Sequence, residues 1–188
     1  MTPPARLAQV QAHLASPTSS PPPPARSASS SSATQPAKPS RPRAPTANEF
    51  RYFLPMQTRW NDNDSYGHMN NAIYSHYFDS VTNAYLLHHA YPSPPAPRPI
   101  GLIVNSATTY AASVAYPQPV VAALAVSHLG TRSVTWRVAL FAAEYGDDEP
   151  RAAAYGEMVH VFVDQDSRRP VKELDDGMRA ALQKLVVQ

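Results

Sequence analysis

Residues 61–71 read NDNDSYGHMNN, between a strand-like run, FRYFLPMQTRW (50–60), and a helix-like one, AIYSHYFDSVTNAYLL (72–87). In the first run Phe53 and Met56 are expected inside, and Pro55, which has no N–H to give to a ladder, suits an edge or the start of a strand. From Met69 through the second, apolar residues at 69, 72, 73, 77, 81 and 85 recur mostly at spacings of three and four, widened by Phe78, Ala84, Leu86 and Leu87. That period predicts a long helix from about Met69 with a broad apolar face, and such a face needs a large surface to cover.

Beyond the helix, YPSPPAPRP (91–99) predicts an extended or irregular loop. The period then changes. GLIVNSATTYAASVAYP, VVAALAVSHL, SVTWRVALFAAEY and AAAYGEMVHVFVD read as four strands, parted by residues 117–119, 130–132 and the polar GDDEP. In the last, Val159, Val161 and Val163 alternate with Met158, His160 and Phe162, so both faces of the sheet are expected to be covered. The long helix covers one. A short helix over about 175–186, with Leu174, Met178, Leu182 and Leu185 in phase, is expected on the remainder, helped by a second copy of the chain. The order strand, helix, four strands, helix predicts the α+β class, an antiparallel sheet wrapped about the first helix. Trp136 reads as a packed strand aromatic and His160 as a strand-core residue or a contact between copies.

Composition divides the chain in two. Of its 188 residues, positions 1–45 hold eleven of the 21 prolines, nine serines, five Lys or Arg and no acid. This segment carries too little apolar surface to offset its ordering entropy and is expected to be disordered, either as a transit peptide for an organelle such as the mitochondrion or as an extension without an address in a cytoplasmic protein. Residues 46–188 carry eleven basic and fourteen acidic side chains, so the formal +2 is a tail of +5 joined to a domain of −3. Such a domain does not suit a nucleic-acid partner. No cysteine is present, which excludes disulfides, thiol catalysis and thiolate metal sites. No stretch of roughly eighteen uncharged apolar residues is present to span a membrane.

Capping by Asp64 or Ser65, with Gly67 supplying a left-handed turn, explains one Asp and one Gly of the polar stretch. It leaves Asp62, Asp64, His68, Asn70 and Asn71 unexplained. Unpaired N–H groups at a helix start favour developing negative charge, so a carbonyl lying there would find an oxyanion site. Asp64 is placed to act as general base on water or to attack the carbonyl itself, with His68 and Asn71 orienting the water or the chain turn. This is hydrolysis with neither a serine nucleophile nor a metal. A metal site built from Asp62, Asp64 and a distant histidine is the weaker alternative: there is no HExxH, His88 and His89 are adjacent, and His68 and His76 are two turns apart.

The segment TRWNDNDSYGHMNNAIYSHYFD, with Trp60, Asp62, Asp64, Gly67, His68, Asn70, Asn71 and Tyr74 filling the pattern, resembles the active-site segment of hotdog-fold acyl-CoA thioesterases, in particular the 4-hydroxybenzoyl-CoA thioesterase-like group. The resemblance extends more loosely over residues 50–185. It implies a hotdog domain over 46–188, cofactor-free hydrolysis of an acyl-CoA thioester, and a homodimer or dimer of dimers whose sheets join edge to edge with active sites at the subunit boundary. It assigns the catalytic carboxylate to Asp64, with Gly67, His68 and Asn71 around it. Tyr66, Ile73, Tyr74 and Tyr77 are candidate substrate-binding residues, Ile73 and Tyr77 against the acyl group and Tyr74 either toward the site or packing the helix; Arg132 and Arg169, with Arg168 and Lys172, are the phosphate candidates, and Ser133 is a candidate for lining the partner's groove. Plant acyl-carrier-protein thioesterases are also similar, but Tyr66 stands where they use Asn, so their mechanism does not transfer unchanged. A degenerate domain that binds an acyl thioester or a protein partner without turnover is the alternative. The small residues of SATTYAASVAY (106–116) and the loop 91–99 are candidates for shaping the acyl pocket, whose depth the sequence does not give.

Overall fold

Alternation fixes which way each strand faces. The computed structural model describes residues 43–91, 98–142 and 150–187. The disorder expected of the tail therefore falls almost wholly outside the described residues, as do most of the proline-rich loop and the polar GDDEP turn. Among the described residues, β1 (Tyr52–Gln57), β2 (Ile100–Tyr110), β3 (Pro119–Leu129), β4 (Ser133–Ala142) and β5 (Ala154–Val163) form one antiparallel sheet in the order β1-β3-β4-β5-β2. Val134, Trp136, Val138 and Leu140 of β4 and Met158, His160 and Phe162 of β5 are buried on one face. Register shifts at Ile103/Asn105 and Val126/His128 interrupt the ladders. An extra residue of this kind bends and twists its strand.

The central helix α1 (Asn71–Tyr85) lies on that face and continues as a π turn over Leu86–Ala90. Tyr74, Tyr77, Phe78, Val81 and Tyr85 form its buried stripe. Fully buried Phe78 anchors it; truncating such a residue to Ala costs about 3–5 kcal/mol. Ala72 and Leu87, expected in the stripe, are exposed. The helix starts at Asn71, two residues later than the apolar period suggests, because Asn70 is its cap, accepting the Ala72 N–H at 3.0 Å. Neither Asp64 nor Ser65 caps it. In β1, Tyr52, Leu54 and Met56 point inward and Phe53 points out, 43% exposed, reversing the expectation for Phe53.

The terminal helix α2 (Asp176–Gln183) overturns another expectation. Met178, Ala181 and Leu182 join the same core as α1, and the Tyr85 hydroxyl donates to the Ala181 carbonyl at 2.7 Å, so both helices cover one face. The other face is covered in part by the segment leading into β1. Phe50 packs on Ala123, Ala125, Ala139 and Phe141, and the Ala152 N–H donates to Pro45. Val159 and Val161, expected to be covered, are only half-buried. Trp136 is packed as expected, and its Nε1–H donates to His160 Nδ1 at 3.1 Å. The arrangement is the α+β hotdog fold. No helix among the described residues is long and apolar enough to cross a membrane.

Candidate active site

The link from β1 to α1 is a tied loop. Asp62 closes a short turn with Arg59, and its carbonyl accepts the Asn70 N–H at 2.8 Å. Asn63 pairs with Met69, and its side chain accepts the Tyr116 N–H at 3.0 Å. Between them the Asp64 N–H reaches the His68 carbonyl at 2.9 Å, the Gly67 N–H returns to the Asp64 carbonyl at 3.1 Å, and Gly67 sits at φ 76°, a region that other residues resist. The Met69 N–H donates to Val114 at 2.7 Å, which anchors this loop to the stretch after β2.

The two aspartates leave this loop in different directions. Asp62 is fully buried: its carboxylate accepts the Arg59 N–H at 2.7 Å, the Arg59 guanidinium at 2.9 and 3.1 Å and the Tyr77 hydroxyl at 2.5 Å. Burial alone would raise its pKa, but the donations from Tyr77 and Arg59 outweigh burial and hold the carboxyl below its ordinary value. Burial, and then that same bond, push the Tyr77 hydroxyl well up, so it is a neutral donor. Asp64 is half-exposed. One of its oxygens accepts the Tyr66 N–H at 2.8 Å and the other has no hydrogen-bond partner among the described residues.

Asp64 opens on a cleft of about 430 Å³, lined also by Tyr66, His68, Asn71, Tyr74, Tyr110 and residues 111–113. Tyr110 closes one wall: its ring meets Tyr74 edge-on at 5.1 Å and its hydroxyl donates to the Asn71 carbonyl at 3.1 Å. Burial holds the Tyr74 hydroxyl above the usual phenol range, so it too is a neutral hydrogen-bonding group.

Backbone donors decide what such a cleft can stabilise. From Gly67 to Ile73, the N–H groups of Gly67, Met69, Asn70, Ala72 and Ile73 are all committed within the protein, the last two to Asn70. Among the described residues, the N–H groups of His68 and Asn71 have no partner, and both residues line the cleft. Of the helix-start amides expected to meet a carbonyl, these two are the ones left without a partner among the described residues; the Gly67 N–H is taken by the Asp64 carbonyl.

The structure thus brings Asp64, Tyr66, His68, Asn71 and Tyr74 together. It does not bring in Tyr77, which is bound to Asp62, nor Ile73, which packs against the core. Arg132 and Ser133 line a separate cavity of about 410 Å³ with Thr131 and Lys172, while Arg169 is exposed and lines neither. Tyr110, Ala111, Ala112 and Ser113 were not singled out one by one by the sequence. The run of small residues there is the available signal, but it carries no register. Among the described residues no group of three His, Asp or Glu side chains is placed to hold a metal.

The chain belongs to the thioesterase-like superfamily, which it matches over residues 58–182. Among solved structures it is similar to the PA5185 protein of Pseudomonas aeruginosa PAO1, with 39% identity over 78% of this chain and 99% of that one and a TM-score of 0.70. A thioesterase-superfamily protein of Jannaschia sp. CCS1 shares 20% identity over 73% and 86% of the two chains, TM-score 0.64. A 4-hydroxybenzoyl-CoA thioesterase variant complexed with 4-hydroxybenzoyl-CoA shares 14% over 70% and 97%, TM-score 0.61. The last two likenesses are of fold. Among curated proteins, no relative matches the chain.

Proposed function

We propose that this chain hydrolyses acyl-CoA thioesters to the free acid and coenzyme A. One observation carries the reading: the free oxygen of Asp64 and the uncommitted amides of His68 and Asn71 share one cleft in a chain of the thioesterase-like superfamily. In the proposed course the thioester carbonyl oxygen lies against those amides. Asp64 takes a proton from water as the oxygen attacks the carbonyl carbon, the amides stabilise the resulting oxyanion, and collapse expels the thiolate, which takes up the proton. Direct attack by Asp64, followed by hydrolysis of the anhydride, gives the same products. His68 orients the water, and Tyr66 and Tyr74 flank the acyl group.

The acting unit is a homodimer joined through β2. That strand is a sheet edge with Leu102, Ile103 and Val104 at 42%, 47% and 61% exposure, an apolar edge of the kind that pairs with another strand. Across that contact the Arg132, Ser133 and Lys172 cavity, with Arg169, receives the coenzyme A phosphates. Val104→Asp is expected to sediment as a monomer and lose most turnover; an unchanged dimer would discard this edge. Residues 1–42 take no part in the chemistry. Their removal is expected to leave turnover unchanged, whereas a cut beyond Pro45 removes the acceptor of the Ala152 N–H and destabilises the domain.

The test is release of free thiol from a panel of short, aromatic and long acyl-CoAs. Turnover of at least one is expected. Silence across the panel from folded protein would favour a domain that binds a thioester without cleaving it.

A further inference from the structure

A second cleft, of about 380 Å³, lies between β1 and α1. Its helical wall is formed by His76, Tyr77 and Ser80, and no residue lines both this cleft and the Asp64 cleft, so the two are separate. It exists because α1 leaves the inner face of the edge strand partly uncovered. Leu54 and Met56 point inward yet are only half-buried.

Its polar groups select a ligand by what they have left to give. The Tyr77 hydroxyl is spent on Asp62, the Ser80 hydroxyl donates to the His76 carbonyl at 2.6 Å, and the Gln57 side-chain amide donates to the Pro117 and Thr58 carbonyls at 2.7 and 3.3 Å. Arg59 is held along one edge by Asp62, through Nε at 3.1 Å and a terminal nitrogen at 2.9 Å, while its side chain remains 62% exposed. The remaining donors are therefore the outer edge of a fixed guanidinium and the His76 imidazole, above an apolar floor. No carboxylate lines the cleft among the described residues, and Asp62, which holds the guanidinium, is buried and is not part of the lining. A guanidinium held in place by a buried carboxylate presents paired N–H groups that match a second carboxylate.

We propose that this cleft is a second binding site for a small carboxylate with a short unbranched apolar chain. The carboxylate lies on Arg59 and His76, and the chain on Leu54 and Met56. The volume suits a small molecule. Occupancy reaches the first cleft through Arg59 and Asp62, because the Asp62 carbonyl accepts the N–H of Asn70, the cap of α1 and the chain neighbour of Asn71, which lines that cleft. A thioesterase releases an acid of this class, which makes the site one where product is sensed. That link rests on the thioesterase reading; the binding does not.

The test is calorimetric titration of octanoate into the full chain, with octylamine and octanol as controls, so that turnover is not the readout. His76→Glu adds a like charge at an exposed position, and Met56→Trp fills the floor; circular dichroism checks that both variants fold. Octanoate is expected to bind wild type and Asp64→Asn alike, about tenfold or more tighter than either control, and to weaken about tenfold or more in each cleft variant. No octanoate binding, or equal binding by wild type and both cleft variants, overturns the proposal. So does a His76→Glu chain that sediments as a smaller species without octanoate binding in the wild type, which would make the cleft a contact between copies.

Discussion

Asp62 and Asp64 stand two residues apart on one loop and meet opposite surroundings. Asp62 is enclosed, and Tyr77 and Arg59 hold its carboxylate from several sides, so its charge is used up in fixing the strand, the turn and the helix against one another. Asp64 gives one oxygen to the loop, and the residue lines a cleft together with His68 and Asn71, whose amides have no partner among the described residues. The D-x-D pair divides its labour: a carboxylate satisfied on all sides builds a site, and one left partly unsatisfied can act in it.

The sharpest way to break that contrast is to neutralise each carboxylate in turn. Asp64→Asn is expected to lower kcat/KM for acyl-CoA by about 10²–10⁴, with the thermal midpoint unchanged. Thiol release and a melt on the same sample check it, and unchanged turnover would remove Asp64 from the chemistry. Asp62→Asn is expected to do the reverse. It should cost about 3 kcal/mol in urea unfolding, the lower end for breaking a buried pair because Arg59 is largely in solvent, while the folded fraction keeps most of its turnover. A variant as stable as wild type but inactive would exchange the two roles.

Tyr77→Phe removes one donor from Asp62 and is expected to cost about 1–2 kcal/mol by the same measurement. It also sharpens the acid limb. Because Asp62 is held below its ordinary value, its contribution is present above about pH 4 and lost as pH falls through the folded value; without the Tyr77 donor the folded value rises, so in Tyr77→Phe the loss is smaller and is complete at higher pH. The smallest effect concerns a buried base. Burial lowers the pKa of His160 against the opposing pull of Asp79, so its share of stability is full above about pH 6.5 and declines as pH falls toward the folded value. His160→Gln keeps an acceptor for Trp136 and is expected to flatten the thermal midpoint between about pH 7 and 5.5; a slope unchanged from wild type would show that His160 is not its source.

Much of this was legible because periods and side-chain chemistry are local. The spacing of Tyr77, Phe78, Val81 and Tyr85 sets the buried stripe of α1, and the crowding of Asp64, His68 and Asn71 marks the cleft. What escaped is set by partners distant in sequence. Tyr77 sits on the helix where an acyl pocket is plausible, but its hydroxyl belongs to Asp62, fifteen residues back. The phase of α2 shows which of its residues are apolar and not which face of the sheet receives them. Tyr110 reaches Asn71 across 39 residues, and only the end of β2 brings it there. Arg132 and Ser133 cannot be joined to Asp64 from one chain's sequence, since the proposed union needs two chains.

The most direct measurement is a crystal structure of Asp64→Asn with a slowly hydrolysed acyl-CoA. The account expects the thioester carbonyl oxygen within hydrogen-bond distance of the His68 and Asn71 amides, with the side chain at position 64 beside the carbonyl carbon or its water. A thioester seated elsewhere, with those amides and position 64 facing solvent, would contradict it.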